Sequence, residues 1–359
     1  MLNIGLINDY PFSVAFGGKE IQLLTYESML SKHHDKDIAF KKLDIWDKNN
    51  LDGIDILHFF GHSNWYYDII NSLNVNYPNL KTVVSPTIYF QNFKVVRSAS
   101  LLSKICPLPN TFFYKKTFFR KCDKIIVNSH SEKDQLISIF GKNLKNKIAV
   151  LYNGIENDFC NFDDDTNKSL FLEKFNLTEG YLLSVGFIDA RKNRLNLIKA
   201  FLNIHKIINK KLVIIGDFRF HKEKDVRTTR KLISDHPDKI LHIPYIDRQS
   251  DLLKSAYCNC SSHLLPSHLE TPGLSNLEAL YFNKCIVVGD CKPVREYFKD
   301  YAIYCNSESI KSIESAIIKS LHVETKYNYK QYIENNYTLN VISELLFKYY
   351  SAMSEYATS

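Results

Sequence analysis

Short apolar runs recur along this chain, and the segments between them are long enough for helices. Asn3–Ile7, Asp55–Phe60, Lys81–Ser85 and Lys124–Ser129 read as buried strands. After the first of these a helical pattern opens at Ile21, with Leu23, Leu24 and Met29 among its apolar positions. Near-continuous apolar character marks strands covered on both faces, so the alternation predicts βα units around a parallel sheet. The pattern restarts at Tyr181–Gly186, followed by a helix carrying Leu195, Leu197, Ile198 and Phe201. It continues through Leu212–Gly216, Ile240–Tyr245, a strand around Tyr257 and Cys285–Gly289. Helical spacing returns over 337–356 with Ile342, Leu345, Leu346 and Tyr349.

Two such series in 359 residues predict an α/β protein of two domains. The crossing point falls near Leu151–Phe159, where Asn153-Gly154 is a strong turn signal, and the polar run Asn161–Asn167 suits a linker. The expected division is 1–155 with the last helix, about 338–359, against 156–337.

Composition narrows the class. With 45% apolar and 24% charged residues the chain reads as soluble and globular. No apolar run reaches the roughly 18 residues of a membrane span. The first residues read as a strand rather than a signal peptide, and eight cysteines without such a signal suggest reduced thiols in the cytosol. Six of the seven net positive charges fall within the first 150 residues. Over 93–124, Lys94, Arg97, Lys104, Lys115, Lys116, Arg120, Lys121 and Lys124 alternate with Phe93, Phe112, Phe113, Tyr114, Phe118 and Phe119. That mixture fits either a solvated basic face over a core helix or contact with an anionic membrane surface. Nothing resembles a nucleic-acid module, so no nucleic-acid partner is expected.

The densest chemistry lies in Pro266–Leu280, read as a strand end, a Pro-Gly turn and a helix start. Glu270 should sit in the loop and Glu278 on the first or second helical turn. Gly273 opens the backbone to a ligand, and Leu274, Ser275 and Asn276 begin the helix. Free N–H groups at a helix N-terminus form a seat for phosphate. Two flanking carboxylates add acceptors for hydroxyls, so the stretch suits a nucleotide sugar. Arg191 and Lys192, on another strand-to-helix loop, could meet a diphosphate or be an ordinary exposed pair. Gly17-Gly18 is a second candidate phosphate loop, though it matches neither a dinucleotide fingerprint nor a P-loop. His58 and His62 fall near a strand's carboxyl end, where open parallel sheets bind ligands. Cys258, Cys260, His263 and His268 match no common zinc spacing, so no metal is expected.

Glu270-x7-Glu278 within Pro-Ser-x-x-Glu and Leu-Glu-Ala resembles the E-x7-E signature of the retaining family-4 glycosyltransferases, which have the two-domain GT-B fold. Gly186-x4-Arg-Lys-Asn resembles that family's second signature, and Asn153-Gly-Ile-Glu-x-x-Phe its interdomain crossing. The chain departs from the family at Thr271-Pro272, where Gly-Phe is usual. It departs again at Phe187, where some members have Arg, and near Pro86-Thr87, where many have His. The resemblance implies two Rossmann-like domains facing each other across a cleft, with the last helix returning to the first. The first would bind the acceptor and the second the donor. Arg191, Lys192 and Glu270 would be catalytic. Gly17, Gly18, Tyr245, Ile246, Gly273, Leu274, Ser275 and Glu278 would join them around the donor, with Tyr245 and Ile246 against the base. His58, His62 and Tyr89 are candidates for the acceptor.

The resulting expectation is a cytoplasmic, metal-independent, cofactor-free retaining transferase. It would move sugar from a nucleoside-diphosphate donor to a saccharide or lipid-linked saccharide, in surface polysaccharide assembly. Peripheral contact with the inner face of the membrane would follow from 93–124. A sugar-nucleotide epimerase or hydrolase of the same fold, and a non-catalytic sugar-binding protein, are the alternatives.

Overall fold

The protein is described from a computed structural model covering all residues except 15–16, 45–46, 48, 106–109, 157–158, 160–161, 163–166, 221, 324–327 and 356–359. Phe16 of the glycine loop, positions 161 and 163–166 of the expected linker, and Tyr356 lie outside the described residues. The chain separates into two compact units, Met1–Asn153 with Leu339–Ser359, and Gly154–Thr338.

The first unit holds six parallel strands: β1 (Leu2–Asn8), β2 (Ile38–Lys42), β3 (Ile56–Phe60), β4 (Lys81–Ser85), β5 (Lys124–Val127) and β6 (Ile148–Val150). Their order is β2-β1-β3-β4-β5-β6. The strand period of two sorts β3 between two cores. Ile56 and Phe60 pack on one face with Leu23, Tyr26 and Leu30 of the helix Gly18–His33. Leu57 and Phe59 pack on the other with Tyr66, Ile70 and Phe118. The helix Leu339–Glu355 completes the first of these cores through Leu339, Ile342, Leu346, Tyr350 and Met353, so the end of the chain belongs with its beginning.

The second unit repeats the architecture with β7 (Tyr181–Val185), β8 (Leu212–Ile215), β9 (Ile240–Ile243), β10 (Cys260–Leu265), β11 (Cys285–Gly289) and β12 (Ile303–Cys305). The order β12-β11-β10-β7-β8-β9 is doubly wound, and chain direction across the sheet reverses between β7 and β10. The carboxyl ends of those two strands therefore form the topological switch point, where open α/β sheets bind ligands. The loops after β7 and β8 are pressed together, since a Cβ on Gly216 would stand 2.2 Å from the Gly186 carbonyl oxygen.

One expected strand is a helix. Tyr257 lies in Asp251–Asn259, whose N-cap Ser250 accepts from the Leu253 N–H, and β10 begins only at Cys260. A helix end buried on every side, as Leu253–Asn259 is, carries no amphipathic period that distinguishes it from a strand.

Candidate functional site

The loop after β7 carries Arg191 and Lys192, and the loop after β10 carries Glu270; the two loops are stitched together. The His268 N–H donates to the Arg191 carbonyl at 2.9 Å. Arg191 Nη1 donates to the Leu269 carbonyl at 3.0 Å. Asn193 takes the left-handed conformation (φ 56°) ahead of the helix Arg194–Ile208. Its Nδ2 donates to the Pro266 carbonyl at 2.9 Å and the Ser307 carbonyl at 2.8 Å.

This stitching directs two cations at one carboxylate oxygen. Lys192 Nζ lies 2.5 Å and Arg191 Nη1 3.1 Å from Glu270 Oε1. Burial pushes the Glu270 carboxyl up, but Lys192 and Arg191 outweigh it and hold the group below the ordinary carboxylate value. Burial pushes the Lys192 ammonium down, against the pull of Glu270. Beneath the pair, the buried Arg194 donates to Ser184 Oγ and, at 3.2 Å, to the Gly186 carbonyl.

Glu270 also borders a helix mouth. Gly273 is the N-cap of Leu274–Tyr281 at φ +83°, and no side chain caps that helix. A Cβ on Gly273 would lie 3.0 Å from Asn276 Nδ2 and 3.4 Å from Glu270 Oε2. The Asn276 side chain is turned inward, to His263 Nδ1 at 3.0 Å and the Pro272 carbonyl at 3.2 Å. Ser275 and Asn276 thus sit in the first turn without capping it. The backbone, approached closely at Gly273, faces a cationic corner at the positive end of a helix. Such a place can hold an anion.

Glu278, on the second turn, is 2% exposed, and both its oxygens accept hydrogen bonds. Arg248 Nε donates to Oε1 at 2.7 Å, and the Tyr257 hydroxyl donates to Oε2 at 2.7 Å. Tyr245, in the loop after β9, is strongly exposed, and Ile246 is half-buried. Arg248, Tyr257, Asn193 and Arg194 were not among the expected site residues. Arg194 directly follows Arg191–Asn193 and could have been found from that neighbourhood. Arg248 and Tyr257 reach Glu278 across 30 and 21 positions of sequence, with no local signal.

In the first unit, Gly17 is the N-cap of Gly18–His33. Its N–H donates to Glu20 Oε2 at 2.8 Å, and a Cβ on Gly18 would meet nothing within 4 Å. Lys19 bonds the buried Asp9 and lies 3.1 Å from Glu20 Oε1. Asp9 Oδ2 accepts from the His62 N–H at 3.2 Å, and Lys115 Nζ donates to the His62 carbonyl at 2.5 Å. Burial, with Lys115 and Lys19 adding to it, pushes the His62 imidazole down to about 4. His62 is half-buried at the carboxyl end of β3, and Tyr89 is half-buried after β4.

His58 corrects the expectation of an acceptor contact. It is fully buried, with Nδ1 2.6 Å from the Tyr350 hydroxyl and Nε2 2.9 Å from Ser85 Oγ. Its ring stacks on Phe60 at 4.3 Å. In β3, His58 shares the face of Ile56 and Phe60, so this side chain points into the core between the sheet and the last helix.

Among the described residues, no group of three or more His, Cys, Asp or Glu is placed to hold a metal ion. No helix among them is long and apolar enough to cross a membrane.

Residues 165–338 match the family model for glycosyl transferases group 1. The chain is 25% identical over 219 residues to the O-antigen chain mannosyltransferase RfbU of Salmonella typhimurium, covering 57% of this chain and 55% of that protein. The match thus spans about half the length of that relative. Sucrose-phosphate synthase from Thermosynechococcus elongatus superposes with a TM-score of 0.75 at 15% identity, over 100% of both chains. The Anabaena protein HepE, solved with UDP and glucose, gives 0.71 at 13% identity over 98% of this chain and 99% of that one. A glycosyltransferase from Rickettsia africae gives 0.73 at 15% identity over 98% of each. The chain has the GT-B fold, its second unit resembles the group 1 glycosyl transferases, and these likenesses together support a glycosyltransferase.

Proposed function

We propose that the protein is a retaining glycosyltransferase that moves a sugar from a nucleoside-diphosphate donor to an acceptor hydroxyl in surface polysaccharide assembly. The observation that carries this reading is the convergence of Arg191, Lys192, Glu270 and the uncapped helix mouth at Gly273. The O-antigen relative and the UDP and glucose held by the Anabaena protein support it.

Breaking the bond between the sugar carbon and the diphosphate leaves the electron pair on phosphate oxygen. Arg191, Lys192 and the first N–H groups of the helix Leu274–Tyr281 stabilise that charge, with no metal required. Glu270, released from the cations by the arriving diphosphate, accepts from hydroxyls of the transferred sugar. Glu278 accepts from the ribose hydroxyls, with Tyr245 and Ile246 against the base. The acceptor oxygen forms the new bond on the face that the phosphate leaves, and its proton passes to the departing phosphate oxygen. Within the first unit, His62 and Tyr89 are the proposed acceptor contacts, and Gly17 and Gly18 form a second proposed phosphate loop.

The acceptor is a saccharide, favoured as a lipid-linked one. Val95 and Leu102 on Phe93–Ile105 and Phe113 on Thr111–Lys121 are exposed beside Lys94, Arg97, Arg120 and Lys121. This supports peripheral binding to an anionic membrane on the cytoplasmic side. Cosedimentation with phosphatidylglycerol vesicles, but not phosphatidylcholine vesicles, is the expected result.

The test of function is a panel of nucleotide sugars. One donor should raise the melting temperature in proportion to the logarithm of its excess over Kd. The same donor should then release its nucleoside diphosphate faster when a saccharide acceptor is added. Acceptor-independent conversion to an epimer, or binding without turnover, would favour the alternatives.

A further inference from the structure

Both oxygens of the Glu278 carboxylate accept from donors within the second unit, and neither donor was expected there. Its Oε1 accepts from Arg248 Nε and its Oε2 from the Tyr257 hydroxyl, each at 2.7 Å. Arg248 is itself held from its far side, where Nη1 lies 3.8 Å from Glu156 Oε1. Glu156 Oε2 in turn accepts from Gln249 Nε2 at 2.6 Å. Tyr257 is fully buried, with its ring stacked parallel to Phe282 at 6.1 Å. The carboxylate is thus clamped in one orientation from two directions. A free glutamate on a helix would instead sample several rotamers.

We propose that Arg248 and Tyr257 are positioning residues that fix the Glu278 carboxylate for the vicinal hydroxyls of a ribose. They would thereby set the selectivity for a ribonucleotide over a nucleotide lacking those hydroxyls. The inference rests on the donor reading given above. A carboxylate offers about four lone-pair sites. With two of them taken from inside the unit, the remaining two present a fixed pair of acceptors. A 1,2-diol offers the matching pair of donors. A preoriented acceptor pair rejects an analogue lacking the hydroxyls, because its lone pairs are then left desolvated and unpaired. Tyr257 suits the task because burial, with Glu278 beside it, pushes its hydroxyl well above the ordinary phenol value, so it remains a donor. Arg248 retains its charge because Glu278 and Glu156 offset the burial of its guanidinium.

The experiment is calorimetric titration of the whole protein with three probes. These are the ribonucleoside diphosphate of the base selected by the donor panel, its 2′,3′-dideoxy counterpart, and inorganic pyrophosphate. Wild type is expected to prefer the ribonucleotide over the dideoxy compound by about tenfold or more. In R248M and in Y257F that ratio falls toward unity, while affinity for pyrophosphate is unchanged. E278Q combined with R248M weakens binding no further than either alone, because both act at one group. A ribose-to-dideoxy ratio unchanged in R248M and Y257F overturns the inference and leaves the donor reading intact. Equal loss of pyrophosphate affinity also overturns it, since the residues would then act on phosphate or on folding. If R248M does not fold, the ratio in Y257F decides alone. A wild type that binds no nucleoside diphosphate of any base overturns both the donor reading and this inference.

Discussion

Lys192 Nζ lies 2.5 Å from Glu270 Oε1, and Arg191 shares the same oxygen. The most concentrated positive charge of the candidate site is therefore already neutralised from within. A diphosphate that displaces the carboxylate meets two cations and frees an acceptor for sugar hydroxyls in the same step. K192M removes one of those cations from a nearly buried corner. Donor turnover is expected to fall by about a hundredfold, the size of effect that removing one transition-state donor has elsewhere. Steady-state kinetics with the donor identified by the panel checks this, with kcat falling more than KM rises.

The same pair makes a statement about acid stability. The Glu270 carboxyl is held below its ordinary value in the folded protein despite burial. A depressed carboxylate contributes stability that is present above its unfolded pKa, about 4.3. That contribution is lost as pH falls through the folded value. Urea midpoints of wild type and E270Q should therefore differ most near neutrality and converge as the pH is taken below about 4.

His58 acts in the opposite part of the pH scale from most basic groups. Burial pushes its imidazole down to about 3, and buried His263 is pushed equally far. An unfolded histidine takes up its proton near pH 6.5, whereas these remain neutral when folded. The unfolded chain then binds more protons, so stability declines as pH falls from about 6.5 towards 3. H58Q keeps polar partners for Tyr350 and Ser85 but does not titrate. The loss of urea stability between pH 7 and pH 5 should be smaller in H58Q than in wild type.

Gly216 tests whether the site depends on the packing of its loops. Its φ is +145°, and a Cβ there would meet the Gly186 carbonyl at 2.2 Å, a backbone atom that cannot swing aside. G216A should destabilise the second unit by about 2 kcal/mol or more. Because the loop after β7 carries Lys192, donor affinity should fall along with the melting temperature. An alanine variant as stable as wild type would show that the two loops separate freely.

The parts legible in the sequence were those in which local pattern and position coincide. Apolar runs spaced by helix-length segments mark β1, β3, β4 and β5 of the first sheet and β7, β8, β9 and β11 of the second, whereas β2, β6 and β12 were not expected. A strand end followed by a helix start marks the loops of Arg191 and Glu270. The limits of that reading have physical causes. β3 is buried along its whole length, so nothing in its pattern said that His58 would face the covering last helix rather than a ligand at the strand's carboxyl end. Tyr257 lies in a helix end surrounded on all sides, where the helical period is erased. The clamp on Glu278 joins residues from the loop after β9 and from the helix Asp251–Asn259, and such a contact exists only once the chain is folded. The acceptor candidates are the least legible, because the His62 backbone is held by Asp9 and Lys115 and the backbone on either side of Tyr89 by Glu132 and Gln135, all distant in sequence.

The most direct measurement is release of nucleoside diphosphate from the panel-selected nucleotide sugar, in the presence of acceptor, by wild type and by the double variant R191M/K192M. The account predicts acceptor-dependent release by wild type, with product retaining the donor's anomeric configuration, and its near-complete loss in a double variant that still folds. Undiminished release by that folded variant would contradict it.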